Sequence, residues 1–241
     1  MTKSCAILQS SYIPWKGYFD MINLVDEFVL FDCVQFTRRD WRNRNKIKTP
    51  RGLEWLTIPV ESKGNFHARI DEMQTSNASW SREHWESLRH NYSKCAHFAE
   101  FKDAFENSYL SLDTTSLSAI NRKFLEQICG ILGIKTKLTS ASDYDLADDK
   151  NMRLISICLQ AGADTYLSGP AAKSYVDESL FNEHGIKVKW MSYEGYPEYR
   201  QLFPPFEHGV TILDLIFNEG AGASQYMNSF ALSGLSDRPH S

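Results

Sequence analysis

The sequence predicts an α/β fold with a Rossmann-like, mostly parallel sheet flanked by helices. Near the N-terminus, an apolar segment, a helical pattern and a second apolar segment follow one another within about thirty residues, as a parallel strand–helix–strand unit requires. From residue 134 onward, the order strand, helix, strand, helix, strand is again typical of α/β proteins. Residues 77–132 between these parts carry helical patterns, so we expect a helical insertion in the middle of the chain.

The first elements can be assigned from their patterns. Residues 5–9 form a short apolar run that is typical of a buried strand. Residues 10–14 predict a polar turn, with a proline suited to the start of a helix. Residues 15–24 have aromatic and aliphatic side chains at helical spacing, and residues 26–32 predict a second strand that ends in a carboxylate.

Polar side chains follow both of these strands. Ligands of open α/β sheets bind beyond the carboxyl ends of the strands. We therefore expect Gln9, Ser10, Tyr12 and Asp32 to meet at the mouth of one crevice. The glycine spacing of a Walker or GxGxxG phosphate loop is absent.

A basic run follows the second strand, although the whole chain has a net charge of -4. Concentrated cations on an acidic protein usually face an anion, and Trp41 adds a ring that can stack. The alternative is a solvated, mobile basic loop. Apolar runs at 28–31 and 55–60 predict strands that anchor the run at both ends, so we favour an anion site. Its cations, interrupted by one acid, Asp40, are Arg38, Arg39, Arg42, Arg44, Lys46, Lys48 and Arg51.

The later elements include two further candidate site features. Helices are predicted at 80–92, 98–110, 115–129, 150–160, 178–183 and 211–218, and strands at 70–76, 134–138, 165–167 and 186–190. The Ser168–Gly169 turn precedes a predicted helix start and has Lys173 nearby, which predicts a second anion seat. His84 lies among aromatic residues that would tune its pKa, and a functional or a structural role is equally open.

Bulk composition sets the remaining expectations. We expect one α/β domain over residues 1–232 and a flexible tail over 233–241. The chain lacks a long apolar stretch and a signal-peptide pattern, so we expect a cytoplasmic protein without membrane insertion. Five cysteines without CxxC spacing predict neither a metal site nor a disulfide framework. A pI near 6 argues against a general DNA-binding protein, whereas the basic run remains compatible with a tRNA or a nucleotide.

Several blocks of the sequence together resemble the WbqC-like family of bacterial surface-polysaccharide clusters. They span nearly the whole chain, and the first two are long enough to be specific. The blocks are Ile7–Asp20, Asp32–Asn45, Trp55–Pro59, Ser168–Tyr175, Tyr199–Gln201 and Ile212–Asn218. The chain departs from the expected family pattern at Ser10 and at Cys33.

The resemblance implies a function in O-antigen or related glycan assembly, and for some members it implies glycine transfer. We therefore expect an N-acyltransferase that acts on the amine of a nucleotide-linked amino sugar. The activated donor is left open between a carrier-protein thioester, a coenzyme A thioester and an aminoacyl-tRNA. Chemistry and position suggest Asp32 or His84 as general base, Trp41 or Tyr12 as stacking group, and Gln9 or Gln35 to orient the amide. Phosphate would be held by Arg38, Arg39, Arg42 and Arg44.

Two other functions remain open from the sequence. An ATP-dependent adenylating or nucleotidyl-transferring enzyme would use ATP and Mg²⁺, but the glycine- and histidine-rich turn expected after the first strand is absent. A non-catalytic protein would use the basic run to contact an acidic partner. The sequence leaves the sugar, the acyl group and the oligomeric state open.

Overall fold

A computed structural model describes residues 2–65 and 67–231, and the predicted tail at 233–241 lies outside these residues. The strands are β1 (Ser4–Leu8), β2 (Glu27–Leu30), β3 (Arg44–Thr49), β4 (Gly52–Thr57), β5 (Lys137–Ser140), β6 (Thr165–Ser168) and β7 (Lys187–Trp190). The α-helices are α1 (Lys16–Asn23), α2 (Ser79–Tyr92), α3 (Phe98–Leu110), α4 (Leu117–Leu132), α5 (Lys150–Gln160), α6 (Glu178–Glu183) and α7 (Ile212–Glu219).

Five strands form one parallel sheet in the order β5-β2-β1-β6-β7. This order confirms the predicted α/β class. The chain builds the sheet outward from β1 through β2 to β5, and then crosses back to place β6 on the other side of β1. The crossing creates a topological switch point beyond the carboxyl ends of β1 and β6, which is where open α/β sheets bind ligands.

The basic run contains a strand that the sequence analysis missed. Strand β3 pairs with β4 in an antiparallel hairpin, with Lys46 opposite Trp55. The alternation that favours a strand is present, since Asn45 and Ile47 are buried while Lys46 is partly exposed, but frequent Lys and Arg residues obscure it. The strand predicted at 70–76 is also wrong, because a short 3-10 turn at Ile70–Glu72 stands there, followed by isolated bridges.

Apolar cores cover both faces of the sheet. Along β1, Ala6 points into the larger core, whereas Cys5 and Ile7 point into the smaller one beneath α5 and α6. Helices α2, α3 and α4 form the expected insertion and share the larger core with the sheet. Trp85 of α2 stacks on Phe98 of α3 with ring centroids 5.9 Å apart. The insertion therefore packs as part of the same core.

The five cysteines, all among the described residues, are free thiols, and Cys33 alone among these five is more than slightly exposed. Over residues 2–65 and 67–231, the helices are too short or too polar to cross a membrane.

Candidate functional site

The loop from β1 to α1, residues 9–15, is held by the protein on several sides, and we call it the anchored loop. Asp32, at the end of β2, accepts a hydrogen bond from the Ser10 amide at 2.7 Å and another from the Ser118 hydroxyl of α4. Only 5% of Asp32 is exposed. The buried Asp32 carboxylate therefore accepts hydrogen bonds from two protein donors. Through them it connects the ends of β1 and β2 to the helical insertion.

Arg42 reaches the same strand end from the basic run. Its Nη1 donates to the carbonyl oxygens of Gln9 at 2.9 Å and Ser10 at 3.1 Å, and its Nε lies 3.7 Å from Asp40. Asn121 of α4 in turn donates to the Arg42 carbonyl at 2.8 Å. A positive charge is thus fixed at the carboxyl end of β1, where the strand order reverses.

The anchored loop contains a strained residue. Ile13 is fully buried and has a φ of 36°, a backbone region that β-branched side chains rarely occupy. Asn45 of β3 holds this conformation, because its Nδ2 donates to the carbonyl oxygens of Ile13 at 2.8 Å and Tyr12 at 3.2 Å. Backbone strain persists where surrounding structure fixes it, and such positions cluster at functional sites.

A cavity of about 400 Å³ opens beside this loop at the end of β1, and we call it the switch-point cavity. Four aromatic side chains and a small number of polar groups form its walls, a composition common in sites for small molecules. Its lining comprises Leu8, Ser11, Pro14, Trp15, Tyr18, Trp41, Arg42, Asn45, Tyr193, His208 and Gly209.

His208, which was not among the predicted site residues, is the histidine that lines this cavity. Burial lowers the pKa of its imidazole, and the nearby charge of Lys16 lowers it further. Lys16 donates to the Pro197 carbonyl at 2.9 Å, and burial lowers the pKa of its own amine to about 8. His208 is therefore neutral at pH 7, the state in which an imidazole accepts a proton.

The segment that carries Tyr193 and His208 is fastened to α7 by a polar network. The carboxylate Oδ1 of Asp214 accepts hydrogen bonds from the Tyr199 hydroxyl at 2.7 Å and the Gln201 amide at 3.0 Å. Gln201 also donates to the Glu207 carbonyl at 2.9 Å. Through these contacts Tyr199, Gln201 and Asp214 position one wall of the cavity.

A second cavity of about 410 Å³ lies on the other side of Leu8. Gln9 and Tyr166 line it together with two cations near the start of α5, Lys150 and Arg153, which the sequence analysis also did not select. Arg153 donates to the carbonyls of Ala147 at 2.8 Å and Asp148 at 2.9 Å. Both sides of the β1 strand end are thus open and carry positive charge.

Two of the predicted site residues lie in the core rather than in the crevice. Tyr12 is fully buried, and its hydroxyl contacts His84 Nδ1 at 2.9 Å and the Tyr109 hydroxyl at 2.6 Å. His84 is 7% exposed, and burial lowers its pKa to about 4. Tyr12 offers no ring face to a ligand in this conformation, and His84 is a neutral core histidine.

The other predicted residues are distributed around the crevice. Arg38, Arg39 and Arg44 line a further cavity of about 410 Å³ at the base of the hairpin. Gln35 is exposed and forms an isolated bridge with Arg69, outside the lining of the switch-point cavity.

The Ser168–Gly169 turn does reach the switch point, but without the helix that was expected after it. The Ser168 hydroxyl donates to Tyr166 at 3.2 Å, and Gly169 packs near the Tyr193 hydroxyl. The segment Pro170–Ser174 is a 3-10 turn of five residues, so the helix expected after the turn is not an α-helix, and the anion seat at Ser168–Gly169 stays a prediction. Lys173 lies 5.5 Å from the ring of Trp190.

Within the part of the chain that the structure describes, there is no group of three or more His, Cys, Asp or Glu side chains placed to hold a metal ion.

The model of the WbqC-like protein family matches residues 9–226. A relative from Mycobacterium tuberculosis, strain ATCC 25618 / H37Rv, named "Uncharacterized protein Rv1507c", is 52% identical over 225 residues, which cover 93% of this chain and 97% of the relative. No solved structure matches the chain significantly.

Proposed function

Because the chain belongs to the WbqC-like protein family, we propose that it transfers an acyl group to the amine of a nucleotide-linked amino sugar during surface-polysaccharide assembly. Glycyl is the first acyl group to test. The observation that carries the proposal is the switch-point cavity, in which aromatic rings, the Arg42 guanidinium and a neutral histidine meet at the end of β1.

Each class of group in the cavity has a task in this reaction. The rings of Trp15, Trp41 and Tyr193 provide apolar faces for a nucleobase or a sugar. Arg42 places positive charge where a diphosphate would lie. The hydroxyl groups of Ser11 and Tyr193 are donors that a developing oxyanion needs.

The proton balance assigns a role to His208. The sugar ammonium first releases one proton to water, and the neutral His208 imidazole accepts a second proton from the amine nitrogen as this nitrogen attacks the acyl carbonyl. A C–N bond then forms, and the C–S bond of a thioester or the C–O bond of an ester breaks. The proton returns from His208 to the leaving thiol or hydroxyl. His208 takes this role in place of Asp32 and His84, since both of those are buried and hydrogen-bonded to protein groups.

Mass spectrometry of reaction mixtures tests the proposal. The mixtures combine the purified protein, dTDP- and UDP-linked amino sugars, and glycine as carrier-protein thioester, coenzyme A thioester or glycyl-tRNA. We expect a sugar nucleotide heavier by one glycyl group, formed about 100-fold more slowly by His208→Gln because general base catalysis contributes on that order. His90→Gln, an exposed histidine of α2, is the matched control and keeps the rate.

The result also separates the proposal from its main competitor. Sugar nucleotides that bind without forming product with any donor would exclude glycine transfer for this set. The second cavity, with Lys150 and Arg153 beside Gln9, specifically favours an adenylating enzyme as the second candidate. Release of pyrophosphate from ATP in the presence of the sugar substrate would support that alternative.

A further inference from the structure

Two exposed tryptophans lie side by side at the β3–β4 hairpin, Trp55 on β4 and Trp41 in the segment before β3. Trp41 and Trp55 are each 42% exposed, with ring centroids 5.3 Å apart and planes inclined by 42°. Large aromatic rings are usually buried, because covering their surface stabilises the fold. Two neighbouring exposed indoles therefore mark a contact surface.

Cations surround this pair. The guanidinium carbon of Arg44 lies 4.0 Å from the centroid of the Trp55 ring, and the Lys46 amine lies 5.2 Å from the same ring. Within residues 2–65 and 67–231, the side chains of Arg39, Arg44 and Lys46 form no ion pair. By contrast, Arg51 at the hairpin turn pairs with Glu54 at 2.8 Å. We call Arg38, Arg39, Trp41, Arg44, Lys46 and Trp55 the hairpin surface.

A cavity of about 410 Å³ continues this surface at the base of the hairpin. Arg38, Arg39 and Arg44 line it, and the Asn43 carboxamide oxygen beside it is buried without a hydrogen-bond partner among the described residues. Cations that follow a groove and aromatic rings on which bases stack are the two features that single-stranded nucleic acids require.

We propose that the hairpin surface binds the unpaired 3′ end of an RNA, with bases stacked on Trp41 and Trp55 and phosphates held by Arg38, Arg39 and Arg44. Trp41 also lines the switch-point cavity, so an RNA end that passes over this ring reaches the cavity mouth. The RNA binding stands on the hairpin surface alone. Its identification as the carrier of the aminoacyl donor rests on the proposed function.

The indoles favour RNA over an acidic partner protein. An acidic carrier protein would pair with the cations, but ion pairing would not use the exposed parts of the two indole rings. Unpaired bases use both features, since every base has a face that stacks on an aromatic side chain. RNA binding therefore depends on the indoles as well as on the cations.

The test is fluorescence anisotropy with a labelled single-stranded RNA of about twelve nucleotides that ends in CCA, using the full-length protein. We expect saturable binding and quenching of tryptophan emission by stacked bases. Three phosphate contacts predict about 20-fold weaker binding at 200 mM than at 50 mM salt.

Two variants and two controls locate the interaction. Trp55→Ala removes one stacking face and weakens binding by about 5-fold to 100-fold. Arg39→Gln weakens binding and lowers the salt dependence by about one phosphate contact. Arg51→Gln changes the ion-paired cation of the same hairpin, and Leu159→Ala changes an exposed apolar residue of α5; both controls bind as the wild type does.

Absence of RNA binding at about 100 µM protein and low salt would overturn the proposal, since nonspecific binding of this kind reaches that range. Wild-type affinity in Trp55→Ala and Arg39→Gln would also overturn it, as would binding of an acidic carrier protein in place of RNA. The outcome is separable from that of the proposed function. Glycyl transfer from a thioester without RNA binding would support the proposed transferase activity and overturn the RNA-binding proposal. RNA binding without glycyl transfer would support RNA binding by the hairpin surface and count against the proposed transferase activity.

Discussion

The anchored loop and the hairpin surface differ in how the protein satisfies their polar groups. In the anchored loop, the Ser10 amide and the carbonyls of Tyr12 and Ile13 are hydrogen-bonded to protein side chains. On the hairpin surface, Arg39 and Lys46 have no ion-pair partner within the described parts of the chain. Buried polar groups in native proteins are almost always paired, so the hydrogen-bonded groups of the anchored loop are scaffold, whereas the charges of Arg39 and Lys46 are available to a ligand.

The largest effect is expected from Asp32, the carboxylate that joins β1, β2 and α4. Asp32→Ala leaves the Ser10 amide and the Ser118 hydroxyl without their acceptor, and hydrogen bonds to a charged group contribute about 1.5–3 kcal/mol each. We expect the free energy of unfolding to fall by about 3–5 kcal/mol in urea denaturation. Asp103→Ala, an exposed carboxylate of α3, is the control and changes stability by less than about 0.5 kcal/mol. If Asp32→Ala is as stable as the wild type, Asp32 is not part of the scaffold and becomes a candidate for ligand binding.

The buried His84, which contacts Tyr12 of the anchored loop, makes the free energy of unfolding depend on pH. Its folded-state pKa of about 4 lies below the ordinary value of 6.5, so at intermediate pH the unfolded chain binds a proton that the folded chain does not. The stability contribution is complete above pH 6.5 and is lost as pH falls toward 4, by about 3 kcal/mol in total.

Urea denaturation at several pH values between 7 and 4 measures this loss. In His84→Gln, the part of the pH dependence that comes from this proton disappears, whereas His90→Gln, on the exposed side of the same helix, keeps it. An unchanged pH profile in His84→Gln would show that His84 is accessible to protons in the folded state. His84 would then again be a candidate general base.

Asn45 tests the support of the strained backbone. Asn45→Ala removes one side-chain donor from the carbonyls of Tyr12 and Ile13, and each buried acceptor left unpaired costs about 1–3 kcal/mol. We expect a loss of about 2–3 kcal/mol in thermal or urea denaturation, together with weaker binding of sugar nucleotides. Asn107→Ala, at an exposed position of α3, is the control. Full stability in Asn45→Ala would mean that the loop holds Ile13 without this contact.

The sequence determined local structure better than it determined the site. The bounds predicted for α5 at 150–160 and α6 at 178–183 agree with the structure, because apolar periodicity and glycine ends are local signals. His208 was missed because its neighbours come from α1 and the basic run, far away in sequence, and the aromatic segment around it has no period. Tyr12 and His84 were selected for chemistry that burial prevents. Burial depends on the packing of α2 and α3, which no local pattern reports.

The smallest effect on stability is expected on the hairpin surface. Arg39 is exposed and makes no ion pair within residues 2–65 and 67–231, so Arg39→Gln changes the free energy of unfolding by less than about 0.5 kcal/mol. Arg122→Gln is the contrasting variant, because the Arg122 guanidinium donates to the Leu138 carbonyl and the Ser140 hydroxyl, each at 3.0 Å. It should lose about 1–3 kcal/mol by the same urea denaturation. Equal losses in both arginine variants would contradict the distinction between hydrogen-bonded scaffold groups and the exposed charge of Arg39, since hydrogen bonds to protein groups would then not separate the two roles.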